Sequence, residues 1–196
     1  MPPPNDPWLP ALLARNAAFR ASADPTRLPV ARTPGRFGLV TCMDPRLNPA
    51  ALGLDGFGPD GAGGGDVRVI RTVGGMADDR SLIVGIHLAG IREFAFVTHT
   101  DCGNCLAKAR IDTIADSLRA TMPADDYSAF TDAIGGDDPA ALVAHLRAFD
   151  DPRVAVEQEI AAVRRKPFVP ADVILHGLVY DLATATLELV VDGYDA

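Results

Sequence analysis

Cysteine is scarce in this chain of 196 residues, which carries only Cys42, Cys102 and Cys105. An odd number, with two of them close to His99, excludes the disulfide framework of a small secreted domain and points to a metal site. Long apolar runs are also missing. Nothing approaches the roughly 20 apolar residues of a membrane span. The opening MPPPNDP lacks the basic start and apolar core of a secretion signal. The expectation is therefore a cytoplasmic, reducing setting and no membrane partner. Dense runs of Lys or Arg are absent too, and a formal net charge of −8 repels phosphate backbones, which excludes nucleic acid. What remains is ordinary globular composition, 48% hydrophobic and 22% charged, at a length that fits one domain.

The first residues are Pro-rich, and the apolar spacing of Trp8, Leu9, Leu12, Leu13 and Phe19 predicts a helix over 8–21 with a broad apolar face suited to a neighbouring subunit. With the Pro-rich connector after it, residues 1–35 read as an appendage to a single α/β domain over 36–196. Near-continuous apolar runs at 36–41, 67–73, 93–99 and 172–179 predict four parallel strands covered on both faces. A fifth run, 186–191, follows so closely that it predicts a hairpin and an antiparallel edge. Residues 79–90 predict a crossover helix, so the fold class is a mostly parallel sheet with helices on its faces. Residues 105–165 read as a helical excursion. Within it, Asp138-Pro139 and Asp151-Pro152 start helices over 140–149 and 153–165.

Chemistry concentrates at two strand ends. Cys42-Met43-Asp44-Pro45-Arg46 follows the first strand, and His99-Thr100-Asp101-Cys102-Gly103 follows the third. Functional groups of open parallel sheets gather beyond the carboxyl ends of strands, so residues 57 positions apart can converge there. Two thiols and one imidazole are the ligands Zn²⁺ prefers, and three protein ligands leave a fourth position open. Asp44 lies close enough to reach the metal as a fourth ligand or to accept from a bound water, and Arg46 can hold it by a bidentate pair.

These motifs resemble the signature pair of the β-class carbonic anhydrases, Cys-x-Asp-x-Arg and His-x-x-Cys. The likeness extends through Val69–Gly75, Ser81–Gly90 and Gly177–Asp181. It implies one Zn²⁺ per chain on Cys42, His99 and Cys102, and Asp44 with Arg46 as the catalytic dyad. Thr72, Val73, Gly74 and Gly75 would lie at the substrate pocket. The implied reaction is reversible hydration of carbon dioxide to bicarbonate by zinc-bound hydroxide, in a homodimer or tetramer. Asp44 would alternate between the metal and Arg46. Thr72-Val73 stands where the family commonly has Asn-Ala, which narrows the expected pocket, and Asn104 stands where it often has Met. The close alternative is a carbonyl sulfide or carbon disulfide hydrolase, and the more distant one a zinc-bearing binding or regulatory protein without turnover.

Other features take plainer readings. A thiol phosphatase needs five residues between Cys42 and Arg46, and there are three. Asp101 is expected to cap the helix near Cys102 rather than orient His99. Cys105 is expected to face the core, and His87 and His176 to be core or interface residues. His145 falls on an excursion helix. The stretch 61–65 (GAGGG) is a flexible loop, since it precedes a strand and lacks the Lys-Ser/Thr ending of a phosphate loop. Gly74-Gly75, after a strand, would allow close backbone approach to a small ligand.

Overall fold

The structure is a computed structural model that describes residues 8–22, 37–48, 52 and 67–195. The chain divides into two compact units, Met1–Thr33 and Pro34–Ala196. The first unit holds helix α1 (Trp8–Ser22), on which Leu9, Leu12 and Leu13 are all exposed. The connector after it and the glycine stretch 61–65 lie outside the described residues.

The second unit is built on five strands, β1 (Phe37–Cys42), β2 (Val67–Thr72), β3 (Glu93–His99), β4 (Ile174–Asp181) and β5 (Thr186–Val191). Their order is β2-β1-β3-β4-β5, parallel except for the β4–β5 pair. The central strands β1 and β3 are buried almost throughout, as continuous apolar runs require, whereas β2 is half-exposed at its edge. β4 begins two residues later than its apolar run suggests, because residues 170–173 form a turn closed by Val173 N–H to Pro170 O at 3.2 Å.

Helix α2 (Asp79–His87) carries the chain from β2 to β3, and α7 (Pro152–Arg164) returns it to β4. Both crossovers step the same way along the sheet, so right-handed connection puts them on one face. There Leu82 and Ile86 of α2 and Val156, Ile160 and Val163 of α7 bury Val40, Phe94, Phe96 and Leu175. The other face is filled by Leu39, Ala95 and Val97 with Leu47, Leu52, Met76 and Phe149. Each fully buried Leu, Phe or Val contributes about 1.5–3 kcal/mol.

The excursion consists of α3 (Gly103–Ala109), α4 (Ile111–Thr121), α5 (Ala124–Ile134) and α6 (Pro139–Leu146) before α7. Asp138 and Asp151 cap α6 and α7 ahead of a proline in the first turn, as their spacing predicts. Helix α6 ends earlier than expected, where Arg147 turns left-handed at φ 51°. His87 Nε2 meets Phe168 O at 2.7 Å, and His145 sits edge-on to Phe130. His176 is buried against Glu93 and Tyr194. The core position expected for His87 and His176 holds for His176 alone: His87, like His145, is exposed.

Candidate metal centre

Strand order reverses between β1 and β3: the chain leaves β1 toward β2 on one side and returns to β3 on the other. This is the switch point where a doubly wound sheet opens a crevice at its carboxyl end. Cys42 closes β1 and His99 closes β3, so each delivers its side chain there. Cys102 follows directly after the two-residue turn Thr100–Asp101. It is the N-cap of α3, its sulfur accepting from Asn104 N–H at 3.4 Å.

The two sulfurs are 3.9 Å apart, and the ligand atoms of Cys42, His99 and Cys102 all lie within 4.8 Å of one another. All three residues are buried. Nδ1 of His99 donates to Thr100 O at 2.8 Å, which fixes the tautomer and leaves a lone pair on Nε2. Nε2 is buried without a hydrogen-bond partner. An imidazole nitrogen left bare beside two thiols is costly unless something electrophilic fills the space, and a borderline dication with tetrahedral taste fits that donor set. The residues present fit Zn²⁺.

The electrostatics agree. Cys42 lies well below the usual thiol range, because the Cys102 S–H, His99 and the N–H groups of Asp44 and Gly74 favour its thiolate against burial. Cys102 is pushed upward by its bond to that thiolate and by burial. Two thiolates cannot share this space comfortably without a cation between them. Burial opposes protonation of His99, but the Cys42 sulfur and the Thr100 carbonyl outweigh it and the shift is upward.

Asp44 stands beside this trio. Its Oδ1 accepts from Arg46 N–H and Nε, both at 2.9 Å, and its Oδ2 from Arg46 Nη2 at 2.7 Å. Arg46 thereby holds the Asp44 carboxyl at about 2, against burial. The same guanidinium reaches across to Asp101, with Nη1 to Oδ2 at 2.7 Å and Nη2 to the backbone O at 2.9 Å. The expectation for Asp101 is thus corrected: Cys102 caps α3, and Asp101, in the left-handed region at φ 54°, grips Arg46. Arg71 supports the turn from below, donating to Asp44 O at 3.3 Å and to Leu47 O.

Thr72, Val73, Gly74 and Gly75 form the end of β2 and a tight 3₁₀ turn. The Thr72 hydroxyl donates to Met76 O at 2.5 Å, and Val73 is half-exposed. Gly74 and Gly75 are both left-handed, at φ 68° and 77°. A β-carbon on Gly74 would meet Asn104 Nδ2 at 2.6 Å, and one on Gly75 would meet Val97 O at 3.0 Å. The close approach that two glycines allow brings the Gly74 N–H to the Cys42 sulfur. Cys105 is half-buried against the same core as Cys102.

Sequence reasoning missed the support behind this turn. Glu159, on α7, is buried with its side chain 1% exposed; Oε1 accepts from Ala77 N–H at 2.8 Å and Oε2 pairs with Arg147. The Arg147 carbonyl in turn accepts from Asn104 Nδ2 at 3.1 Å. One signal was readable: Glu159 interrupts the apolar stripe of Val156, Ile160 and Val163.

A thiolate–imidazole metal centre at the switch point of a mostly parallel sheet defines a metalloprotein of α/β type. No family model matches the chain. Individual relatives do. β-Carbonic anhydrase 1 of Mycobacterium tuberculosis is 30% identical over 156 residues, covering 78% of this chain and 80% of the relative. A carbon disulfide hydrolase of Acidithiobacillus thiooxidans is 28% identical over 164 residues, covering 76% and 70%. The crystal structure of a carbonic anhydrase from Streptococcus mutans superimposes with a TM-score of 0.70 at 27% identity, covering 95% of this chain and 99% of that one. The chain belongs to the β-carbonic anhydrase family.

Proposed function

We propose that this protein catalyses the reversible hydration of carbon dioxide to bicarbonate. The observation that carries the reading is the bare, buried Nε2 of His99 facing two sulfurs 3.9 Å apart, with an ionised carboxylate docked alongside. Cys42, His99 and Cys102 would hold Zn²⁺, which when bound supplies the Lewis acidity that makes water a nucleophile near neutral pH.

The chain's own residues supply the rest. An ionised carboxylate can only accept, and it has about four lone-pair sites. Arg46 fills two sites on Oδ1 and one on Oδ2. The remaining site on Oδ2 takes the O–H of the attacking water, so that the oxygen lone pair, and not the proton, faces carbon. With its carboxyl at about 2, Asp44 stays an acceptor throughout the physiological range. Val73 and the Gly74-Gly75 turn would form the wall against which a small linear substrate lies.

The carbon disulfide hydrolase among the relatives supports a second reading, in which the same acceptor geometry serves carbon disulfide or carbonyl sulfide. Stopped-flow CO₂ hydration alongside sulfide release from both sulfur substrates separates the two. The expected result is hydration far above buffer and weak sulfide release. Turnover of none of the three by zinc-loaded protein sinks the enzymatic reading in favour of a binding role. Asp44→Ala is expected to keep one zinc per chain and to lower hydration about 100-fold or more.

The assembly is a dimer or a dimer of dimers on this reading, supported by the exposed Leu9, Leu12 and Leu13 of α1. Sedimentation of a monomer at micromolar concentration would reject it. Residues 1–35 are read as the appendage that serves association and 36–196 as the zinc-binding domain. Among the described residues no helix is long and apolar enough to cross a membrane. The free thiols of Cys42, Cys102 and Cys105 suit a reducing, cytoplasmic setting.

A further inference from the structure

The pair between Asp44 and Arg46 joins residues two positions apart on one turn. Arg71 holds the backbone of that turn, but by itself the side-chain pair leaves the guanidinium free to swing. The Arg46 side chain is half-exposed and rides on a two-residue turn at Pro45–Arg46, so it needs a second anchor to serve as a fixed post. That anchor comes from the carboxyl end of the neighbouring strand, β3. Nη1 donates to Asp101 Oδ2 at 2.7 Å and Nη2 to Asp101 O at 2.9 Å, across 55 positions of chain.

The backbone at Asp101 is shaped for this contact. A non-glycine residue at φ 54° carries a conformational cost that Asp tolerates better than most. The left-handed turn presents the carbonyl and the carboxylate of the same residue to one edge of a guanidinium whose other edge holds Asp44. Asp101 also lies between His99 and Cys102, on the turn that delivers both. The pair therefore ties the turn carrying Asp44 to the turn carrying two of the three candidate metal-binding side chains.

We infer that Asp101 is a positioning residue: by anchoring Arg46 it keeps Asp44 docked on the guanidinium, where its free acceptor site faces the reacting water, and away from the metal. The inference rests on the function proposed above. Asp101 is 82% exposed, so the anchor is screened and its effect is moderate. Without it, Arg46 and Asp44 swing together more freely, and Asp44 spends more of its time as a fourth protein ligand.

The test uses zinc-loaded, full-length protein and two substitutions. Asp101→Gly removes the carboxylate while accepting the left-handed backbone. Asp101→Asn keeps an acceptor and also tolerates that backbone. Asp101→Gly is expected to lower kcat for hydration about three- to fivefold with little change in KM and unchanged zinc content, and Asp101→Asn to fall between it and wild type. Zinc release to a chromophoric chelator, which needs no turnover, is expected to slow by a similar factor in Asp101→Gly. Both effects are expected to vanish when Asp44 is already Ala, since a residue acting through Asp44 has nothing left to position. A release rate equal to wild type, or an equal effect in the Asp44→Ala background, overturns the inference and leaves Asp101 as a turn residue. Wild-type protein without turnover would instead count against the proposed function, while the release measurement still decides the role of Asp101.

Discussion

Removing Arg147 should destabilise this protein far more than neutralising the carboxylate it serves, and the difference should depend on pH. Glu159 has 1% of its side chain exposed and two partners, Ala77 N–H and the Arg147 guanidinium; Arg147 is 39% exposed. Arg147→Ala strands a buried carboxylate with one donor, which costs about 3–5 kcal/mol. The carboxylate can escape by taking a proton, at about 1.36 kcal/mol for each pH unit above an unfolded value near 4.3. That route caps the cost at about 3.7 kcal/mol at pH 7 and about 1 kcal/mol at pH 5. Glu159→Gln keeps an acceptor for Ala77 N–H and leaves Arg147 partly in water, so it should cost only about 1 kcal/mol. The sign follows from proton counting. In the Arg147→Ala variant the folded state holds a proton that the unfolded state does not, so its stability relative to wild type recovers as pH falls. Urea unfolding of zinc-saturated protein at pH 5.5, 7 and 8 reads this directly. At pH 7 the melting temperature should fall by roughly 6–12 °C for Arg147→Ala. Equal losses for the two variants, or a loss in Arg147→Ala that does not shrink in acid, would refute the buried-charge reasoning.

Gly75→Ala should lose about 1–3 kcal/mol and weaken zinc retention, because φ is 77° and the new β-carbon meets Val97 O at 3.0 Å; thermal melting and metal analysis check both. Arg46→Ala should let the Asp44 carboxyl rise from about 2 toward the ordinary value near 3.9, leaving it ionised at pH 7, so lost hydration there reports position and not charge. With a depressed folded value, the stability Asp44 contributes is present above about 3.9 and lost as pH falls through about 2. Wild type should therefore be the more stable of the two above pH 5, and the difference should shrink as pH falls toward about 2; acid titration of the unfolding free energy tests it. Stripping zinc with a chelator should lower the melting temperature and re-addition restore it, whereas Cys42→Ala should show no stoichiometric zinc and no such response.

Much of the architecture is legible from local patterns. The runs 93–99 and 186–191 match β3 and β5 to the residue, and Asp138-Pro139 and Asp151-Pro152 mark the two capped helix starts. These succeed because strand burial and N-capping are written within a few neighbouring positions. The carboxyl end of β1 and both ends of β4 are displaced by one or two residues, where a turn or the last ladder partner decides the boundary. Asp101 departs from its expected capping role for a different reason. Its neighbours on the chain favour a cap, but its partner lies 55 positions away.

By itself the amino-acid sequence determined the fold class, the thiol–imidazole–thiol donor set and the Asp44–Arg46 pair, because ligand chemistry and short-range spacing are properties of side chains and near neighbours. Only the tertiary structure decided that Arg46 is shared with Asp101, that Asn104 binds the Arg147 carbonyl, and that Glu159 on α7 holds Ala77 N–H from 82 positions away. Those contacts exist because the β2-β1-β3-β4 order brings distant strand ends and helices to one edge of the sheet. For Glu159, burial then demands partners for the charge delivered there, whereas the exposed Asp101 meets Arg46 by geometry alone.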